Sequence, residues 1–318
     1  MESSQKFTWW RRVLVLVMLT LQNTALVLVT KFSYRPSATP YSAPTVIACS
    51  ECVKLTMSCL LLLGSTGKQT LADALLNLRS GAPRLIVPSL LYVIQNNLMF
   101  EGVRLLNPTM YAVCSQSKIL TSAVFSVLLL RTRITRRQYL ALFVLVAGMI
   151  VVETSQNTGD GTDSQAQNAS GSSFRGLCAV FVAALISGFA GAYLERIYKG
   201  LGFNKRSIWY RNVQLACFSL PAACISICFS DLQQLSLRYV FEGYDSVVIT
   251  VILLQAIGGL VVSAVLRYAG NVTKCFAVSF SICNCAVATK LFSATQHDES
   301  TLLLGICLVI ASTFMYVT

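Results

Sequence analysis

The chain has 318 residues, of which 55% are hydrophobic and only 12% are charged, and its mean hydropathy is +0.64. Charged side chains this sparse cannot coat a soluble particle, so the composition excludes a soluble globular protein and indicates an integral membrane protein. The formal net charge is +12. A nucleic-acid-binding protein could share that charge, and its distribution along the chain decides between the two.

Apolar stretches of about 17 to 23 residues recur along the whole chain, each enough to cross a hydrocarbon core of about 30 Å as a helix. The sequence therefore predicts an all-α membrane protein with ten transmembrane helices, of which the fifth is short. The predicted spans cover residues 13–30, 43–63, 84–105, 108–130, 138–153, 174–194, 208–229, 246–268, 271–292 and 300–317.

A polar segment separates the fifth predicted span from the sixth. It runs from Thr154 to Arg175, is rich in Gly, Ser, Asn and Gln, and is typical of a flexible linker. The predicted domains are a first five-helix repeat at 1–153, a linker at 154–173 and a second five-helix repeat at 174–318. Because five is odd, the second half crosses the membrane in the opposite sense, which is the arrangement of an inverted-repeat transporter.

The basic residues are concentrated on one side of this predicted topology. With both termini in the cytosol, 17 of the 25 Lys and Arg residues fall on cytosolic segments and six on the opposite side. This asymmetry is the positive-inside pattern, so it explains most of the charge without nucleic acid as a partner. The linker is then lumenal, and Asn168, in the sequon Asn-Ala-Ser, becomes a glycosylation candidate.

Polar groups are costly at membrane depth and usually face a cavity or a partner. In the fourth span, Tyr111, Ser115 and Lys118 lie on one helical stripe and present a ring, a hydroxyl and an ammonium to the same space. The alternative for Lys118 is a side chain that reaches to the interface, but more than two turns of helix follow it. For Lys274, one turn into the ninth span, this alternative is equally weighted.

Other polar residues allow a structural or a functional interpretation. Glu51 and Lys54 are spaced i to i+3 and are predicted to neutralise one another. Ser263 belongs to a polar stripe of the eighth span that could equally be a helix-packing contact. In the third span, Tyr92, Gln95 and Asn96 can face one cavity, whereas Asn97 points to neighbouring helices and is a candidate for support or gating.

The sequence offers little for catalysis. The single histidine, His297, has no nucleophile or metal-ligand grouping around it, and the twelve scattered cysteines imply neither disulfides nor metal. No cofactor is predicted. Lysines, tyrosines and carboxamides instead suit a phosphate, an aromatic base and base edges, so a membrane-bound enzyme is only a distant alternative to a transporter.

Five ordered motifs resemble the Golgi nucleotide-sugar transporters of the UDP-galactose, UDP-N-acetylglucosamine and CMP-sialic acid group, within the drug/metabolite transporter superfamily. The motifs are VPSLLYVIQNNLMF, SQSKILTSAVFSVLLLRTRITRRQYL, SGFAGAYLERIYKG, IWYRNVQL and GGLVVSAVLRYAGNVTK. The likeness covers nearly the whole chain.

This resemblance implies an antiporter that exchanges a nucleotide sugar for a nucleoside monophosphate. It places phosphate contacts on Lys118 and Lys274. The implied nucleoside and other ligand contacts fall on Tyr92, Gln95, Asn96, Tyr111, Asn212 and Ser263. The family usually has Tyr-Gln-Leu-Lys where this chain has residues 115–118, and Asp-Asn where it has residues 270–271.

The expected function is therefore import of a UDP-sugar, UDP-galactose or UDP-N-acetylglucosamine, into the Golgi lumen in exchange for UMP. A CMP-sialic acid/CMP antiporter of the same family is the alternative, and a scaffold that does not transport is a more distant one. The expected surroundings are the lipid bilayer of the Golgi, or of the endoplasmic reticulum. A homodimer and a complex with glycosyltransferases are both compatible with this interpretation.

Overall fold

The computed structural model describes residues 2–33, 41–76, 83–106, 108–157, 170–199, 208–230, 241, 243–292 and 299–317. Within these residues every regular element is an α-helix. The helices are α1 (Glu2–Ser33), α2 (Ala43–Thr66), α3 (Lys68–Leu76), α4 (Pro83–Leu105), α5 (Pro108–Ser115), α6 (Ser117–Leu130), α7 (Arg136–Asn157), α8 (Ser170–Lys199), α9 (Ile208–Ser230), α10 (Ser246–Tyr268), α11 (Asn271–Phe292) and α12 (Glu299–Val317).

The structure confirms a helical membrane protein with several crossings. In the part of the chain that the structure describes, six stretches are long and apolar enough to span a bilayer: Trp9–Thr30, Pro44–Ser65, Val113–Leu130, Phe174–Lys199, Ser246–Tyr268 and Asn271–Ala288. The other four predicted spans coincide with α4, α7, α9 and α12. That all ten cross the membrane as inverted repeats stays a prediction.

Several helix boundaries differ from the predicted ones, and those of the fourth span and of the linker change the predicted organisation. The predicted span 108–130 is divided at Gln116, where the N–H of Gln116 bonds the Val113 carbonyl three residues back at 3.2 Å and tightens the turn between α5 and α6. The helices α7 and α8 each extend four residues into the predicted linker. The glycosylation candidate Asn168 lies outside the described residues.

The helices pack as two compact units. The first contains Met1–Val93 and Leu194–Gly270, and the second contains Ile94–Tyr193 and Asn271–Thr318. Each unit therefore combines helices from both halves of the sequence. The predicted repeats at 1–153 and 174–318 are a statement about internal symmetry and stay a prediction.

In the first unit, α2 packs against α9 and α10, and α10 also packs against α1. The amide of Gln22 on α1 donates to the Leu254 carbonyl on α10 at 2.9 Å, and Gly258 leaves room for that amide. In the turn before α10, the Tyr244 hydroxyl bonds Oγ1 of Thr45 at 2.8 Å, and burial raises the pKa of Tyr244 to about 12. Polar contacts thus add to the apolar packing between these helices.

The short helix α3 is absent from the prediction. It follows α2 after Gly67, whose φ of 85° suits glycine, and its buried Ala74 packs with Leu62 and Val213 against α9. The Tyr210 hydroxyl reaches the Asp73 carbonyl at 3.4 Å. This amphipathic turn of chain therefore forms because α2 and α9 provide an apolar surface for it.

The second unit contains a close crossing of α7 and α12. A methyl group added at Gly148 would lie 3.1 Å from the Gly305 carbonyl oxygen and 2.9 Å from Cβ of Leu308, and one added at Gly305 would lie 3.1 Å from the Gly148 carbonyl oxygen. Reciprocal glycines of this kind let two helix backbones touch.

Hydrogen bonds fix the corner between α6 and α7. Thr135 and Gln138 cap the start of α7, with the Gln138 N–H donating to Thr135 Oγ1 at 3.3 Å and the Thr135 N–H donating to Gln138 Oε1 at 3.0 Å. The Gln138 amide also donates to the Tyr316 carbonyl on α12 at 3.4 Å. The Thr132 hydroxyl donates back to the Ser126 carbonyl of α6 at 3.0 Å.

Candidate functional site

Three buried polar side chains from three helices meet in the first unit, and we call them the Tyr198 cluster. The hydroxyl of Tyr198, near the end of α8, donates to Oδ1 of Asn212 on α9 at 2.9 Å and lies 3.1 Å from Oγ of Ser263 on α10. None of the three is more than 3% exposed. The structure thus brings together two residues that the sequence predicts as ligand contacts.

Only one end of the Asn212 side-chain amide makes a hydrogen bond in this cluster. Its Nδ2 is buried and has no hydrogen-bond partner among the described residues, and the same holds for Nε2 of Gln214. Oε1 of Gln214 accepts a hydrogen bond from the Arg211 guanidinium at 2.8 Å. A buried N–H without a partner costs about 1–3 kcal/mol, so such a donor is a candidate for a ligand contact.

The predicted ion pair of Glu51 and Lys54 is confirmed on α2. The Glu51 carboxylate also accepts a hydrogen bond from the Ser219 hydroxyl on α9. A methyl group added at Gly259 on α10 would lie 2.8 Å from Cδ of Lys54, one turn before the serine of the Tyr198 cluster. The pair therefore ties α2 to α9 and packs beside α10, and its charges neutralise each other there.

The carboxamides of α4 differ in their surroundings. Gln95 is half-buried, and its Oε1 is buried without a hydrogen-bond partner in the described part of the chain. Tyr92 is half-buried and Asn97 is exposed. The side chain of Asn96 lies outside the described residues, so its predicted role stays a prediction.

The predicted stripe on α5 and α6 lies in the second unit. The Tyr111 hydroxyl donates to Sδ of Met99 at 3.5 Å, and its ring lies against Gly102. Ser115 is buried at the end of α5. Lys118 is half-buried in the first turn of α6, and its ammonium makes no hydrogen bond or ion pair with a described residue.

Lys274 lies in the first turn of α11 and is half-buried. At the start of the same helix, Asn271 is fully buried, and a methyl group added at Gly191 on α8 would lie 2.4 Å from its Oδ1. In the same unit, the Thr121 hydroxyl on α6 donates to the Ala184 carbonyl of α8 at 2.7 Å. Lys118 thus lies on a helix that is joined to α8 by a hydrogen bond, and Lys274 lies on a helix whose first residue packs closely against α8.

A metal centre has no support in the described residues, where no group of three His, Cys, Asp or Glu side chains could hold an ion. Apart from carboxylates that are paired with lysines, as Glu51 is, the polar groups that the described helices bury are cations, hydroxyls and amides. Such groups bind an anionic and polar ligand without changing it covalently.

Comparison with known proteins identifies the family of this membrane protein. Residues 9–317 match the family described as nucleotide-sugar transporter. The chain belongs to the nucleotide-sugar transporter family.

Relatives that are similar to nearly the whole of this nucleotide-sugar transporter family member include proteins named for particular UDP-sugars. The chain is 36% identical to the UDP-N-acetylglucosamine/UDP-N-acetylgalactosamine transporter of Caenorhabditis elegans, over 96% of this chain and 93% of that one. It is 35% identical to the UDP-N-acetylglucosamine transporter of Rattus norvegicus, over 96% and 94%. It is also 35% identical to the UDP-galactose translocator of Homo sapiens, over 95% of this chain and 76% of the relative.

The fold of this nucleotide-sugar transporter family member also matches a solved structure. A crystal structure of a protein superimposes with a TM-score of 0.69 over 96% of this chain and 98% of the other, at 15% sequence identity. At that identity the match concerns the fold alone.

Tyr198 is a member of the candidate site that the sequence did not predict. It lies inside the motif SGFAGAYLERIYKG, next to Lys199, which pairs with Glu195 at 2.5 Å. Its partners lie 14 and 65 residues further along the chain, so only tertiary structure brings them together. A tyrosine among charged residues just beyond a predicted span was the available signal, and it is equally typical of a residue at the membrane interface.

Proposed function

We propose that this nucleotide-sugar transporter family member carries a UDP-sugar, UDP-N-acetylglucosamine or UDP-galactose, into the Golgi lumen in exchange for UMP. The similarity at 35–36% identity across nearly the whole chain to relatives named for UDP-sugars carries the proposal. The family description alone covers nucleotide sugars in general.

The proposed mechanism uses ten helices as two inverted repeats that alternately open a central site to each side of the membrane. Lys118 and Lys274 would bind the phosphates, and the Tyr198 cluster, Gln95 and Tyr92 would contact the nucleoside. The absence of an ion pair at Lys118 among the described residues supports this role, because its charge is available to an anion.

Exchange of one anion for another fits these charges. A nucleoside monophosphate carries a charge of about −1.5 to −2 near neutral pH, and the diphosphate of a UDP-sugar carries about −2. Two lysines can therefore balance either ligand. One-for-one exchange then moves almost no net charge across the membrane.

Counterflow in liposomes tests the proposal. Purified protein is reconstituted into vesicles loaded with UMP, CMP, GMP or buffer, and uptake of labelled UDP-N-acetylglucosamine and UDP-galactose is measured. We expect UMP inside the vesicle to accelerate uptake of at least one UDP-sugar several-fold over buffer. Uptake of CMP-sialic acid driven by internal CMP would replace the uridine assignment, and stimulation by no internal nucleotide would contradict antiport.

A further inference from the structure

Tyr198 hydrogen-bonds one end of the Asn212 amide, and the other end has no partner among the described residues. We propose that Tyr198 is a positioning residue that makes Asn212 a hydrogen-bond donor for the O4 carbonyl of uracil, and that this arrangement disfavours cytosine. The inference rests on the proposed function, because it specifies how the same site selects a uridine nucleotide.

The hydrogen-bond pattern of the Tyr198 cluster fixes the amide. The Ser263 hydroxyl lies 3.1 Å from the Gly259 carbonyl of its own helix and can donate its hydrogen there. The Tyr198 hydroxyl then has two acceptors in reach, Asn212 Oδ1 at 2.9 Å and Ser263 Oγ at 3.1 Å, and the shorter contact is the one to Asn212. Because Oδ1 already accepts this hydrogen bond, the group of Asn212 that remains for a ligand is the N–H donor of Nδ2, which has no partner among the described residues.

A purely structural contact would be expected to satisfy both ends of a buried amide. Asn212 is only 2% exposed, yet one of its ends is unpaired within the described chain. In this conformation Nδ2 is also closed off from solvent. A ligand therefore reaches it when the surrounding helices separate, a movement that alternating access supplies.

The chemistry of the bases gives the fixed amide its selectivity. Uracil, like thymine, presents a carbonyl acceptor at position 4, where cytosine presents an amine donor. An unrestrained asparagine can serve either base, because turning the amide by 180° exchanges its oxygen for its nitrogen. Tyr198 removes that freedom, so an N–H would meet the uracil carbonyl and would oppose the cytosine amine.

The decisive variant is Tyr198→Phe, which keeps the ring and removes the hydroxyl that holds Asn212. Thermal stabilisation of the purified full-length protein by increasing UMP or CMP gives the two dissociation constants. We expect wild type to bind UMP more tightly than CMP. We expect Tyr198→Phe to weaken UMP about tenfold, the loss of roughly one hydrogen bond, and to bring the ratio of the CMP and UMP dissociation constants closer to one.

A matched control is Tyr139→Phe, the same chemical change at an exposed tyrosine of α7, which is expected to leave both constants unchanged. Tyr198→Phe that weakens UMP and CMP by the same factor, or leaves both unchanged, would overturn the inference while wild-type binding and counterflow still support the proposed function. Wild type that is not stabilised by UMP would instead contradict the proposed function itself.

A second variant keeps the inference testable should Tyr198→Phe fail to fold. Asn212→Asp retains the oxygen that Tyr198 binds and replaces the free N–H by an acceptor. Measured with uridine and cytidine, which carry no phosphate charge, this variant is expected to lose its preference for uridine. A preference for uridine equal to that of wild type would show that the Asn212 N–H does not read the base.

Discussion

Two half-buried lysines on predicted membrane helices differ in what their ammonium groups contact. Lys54 is paired with Glu51, which is held in turn by Ser219. Lys118 has no hydrogen bond or ion pair with any described residue. A partly buried cation with no partner among the described residues is expected to bind an anionic ligand, whereas a paired cation is expected to stabilise the fold.

This contrast predicts opposite effects for the same substitution. Lys118→Met should weaken UMP binding about 10- to 100-fold, the equivalent of about 1.5–3 kcal/mol for a hydrogen bond to a charged group. It should leave the thermal stability of the ligand-free protein unchanged or slightly raised. Both properties are measured on purified protein by thermal unfolding with and without UMP.

Lys54→Met serves as the comparison. It leaves the Glu51 carboxylate at membrane depth without its cation and should lower the stability of the ligand-free protein. A large loss of ligand-free stability in Lys118→Met, with UMP binding retained, would assign Lys118 a structural role instead.

Whether a side-chain contact could be predicted from the sequence depends on how far apart its two residues lie along the chain. The Glu51–Lys54 pair was predictable because helix geometry places residues i and i+3 on one face. Tyr198 was not, because its partner Ser263 lies on another helix. Helix periodicity separated Asn97 from Gln95, and in the structure Asn97 is exposed whereas Gln95 is half-buried.

Glycine determines how closely α7 and α12 approach. Gly148 and Gly305 place each backbone carbonyl about 3.1 Å from the position of a methyl group on the other helix. At Gly148 the obstacles are backbone atoms and the Cβ of Leu308, which moves only with its backbone, so no side-chain rotation makes room. The two helices are therefore held at a separation that only hydrogen atoms at these positions allow.

Gly148→Ala should consequently force α7 and α12 apart and destabilise the second unit by about 1–3 kcal/mol, the usual cost of overpacking. Gly64→Ala on α2 is the matched control, because an added methyl group meets no protein atom within 4 Å there. Alanine is the better helix former, so this control should be neutral or slightly stabilising. The apparent melting temperatures in detergent measure both, and equal temperatures for the two variants would contradict the close crossing.

Helix positions were largely predictable because long apolar runs dominate the sequence. The exceptions have local causes. The helix α3 is short and amphipathic, so its stability depends on Ala74 packing against α9 and not on its own composition. The tightened turn at Gln116 lies in the polar stretch at residues 115–118, where no proline or glycine indicates a break in the helix.

The proposed topology places different segments of the chain on the lumenal and the cytosolic side of the membrane. Asn168 lies in the segment predicted to be lumenal, whereas the second sequon, at Asn271, begins α11 and its asparagine is fully buried. Only a lumenal and accessible asparagine can be glycosylated.

We therefore expect wild type from a glycosylating cell to shift in electrophoretic mobility on treatment with an endoglycosidase. Asn168→Gln should abolish the shift, and Thr273→Ala, which removes only the second sequon, should preserve it. A shift that depends on Thr273 would reverse the proposed orientation of the chain.

Predictability is lowest for the whole molecule. Composition and the positive-inside pattern specify how a chain enters a membrane, but not which helices pack together. Leu194 and Gly270 bound a segment that joins residues 1–93 in one compact unit, although the linker separates them in sequence. Such a partition depends on side-chain fit between distant helices, which hydropathy does not encode.

The capped corner between α6 and α7 also has a mechanical consequence. Thr132 ties the corner back to α6, Thr135 and Gln138 lock the start of α7, and Gln138 continues to α12. With the glycine crossing of α7 and α12, these bonds couple three helices at one end and along one interface. Bending at this corner would break several hydrogen bonds at once. The helices α6, α7 and α12 should therefore move as one rigid body, and the hinge of a larger movement should lie elsewhere in the chain.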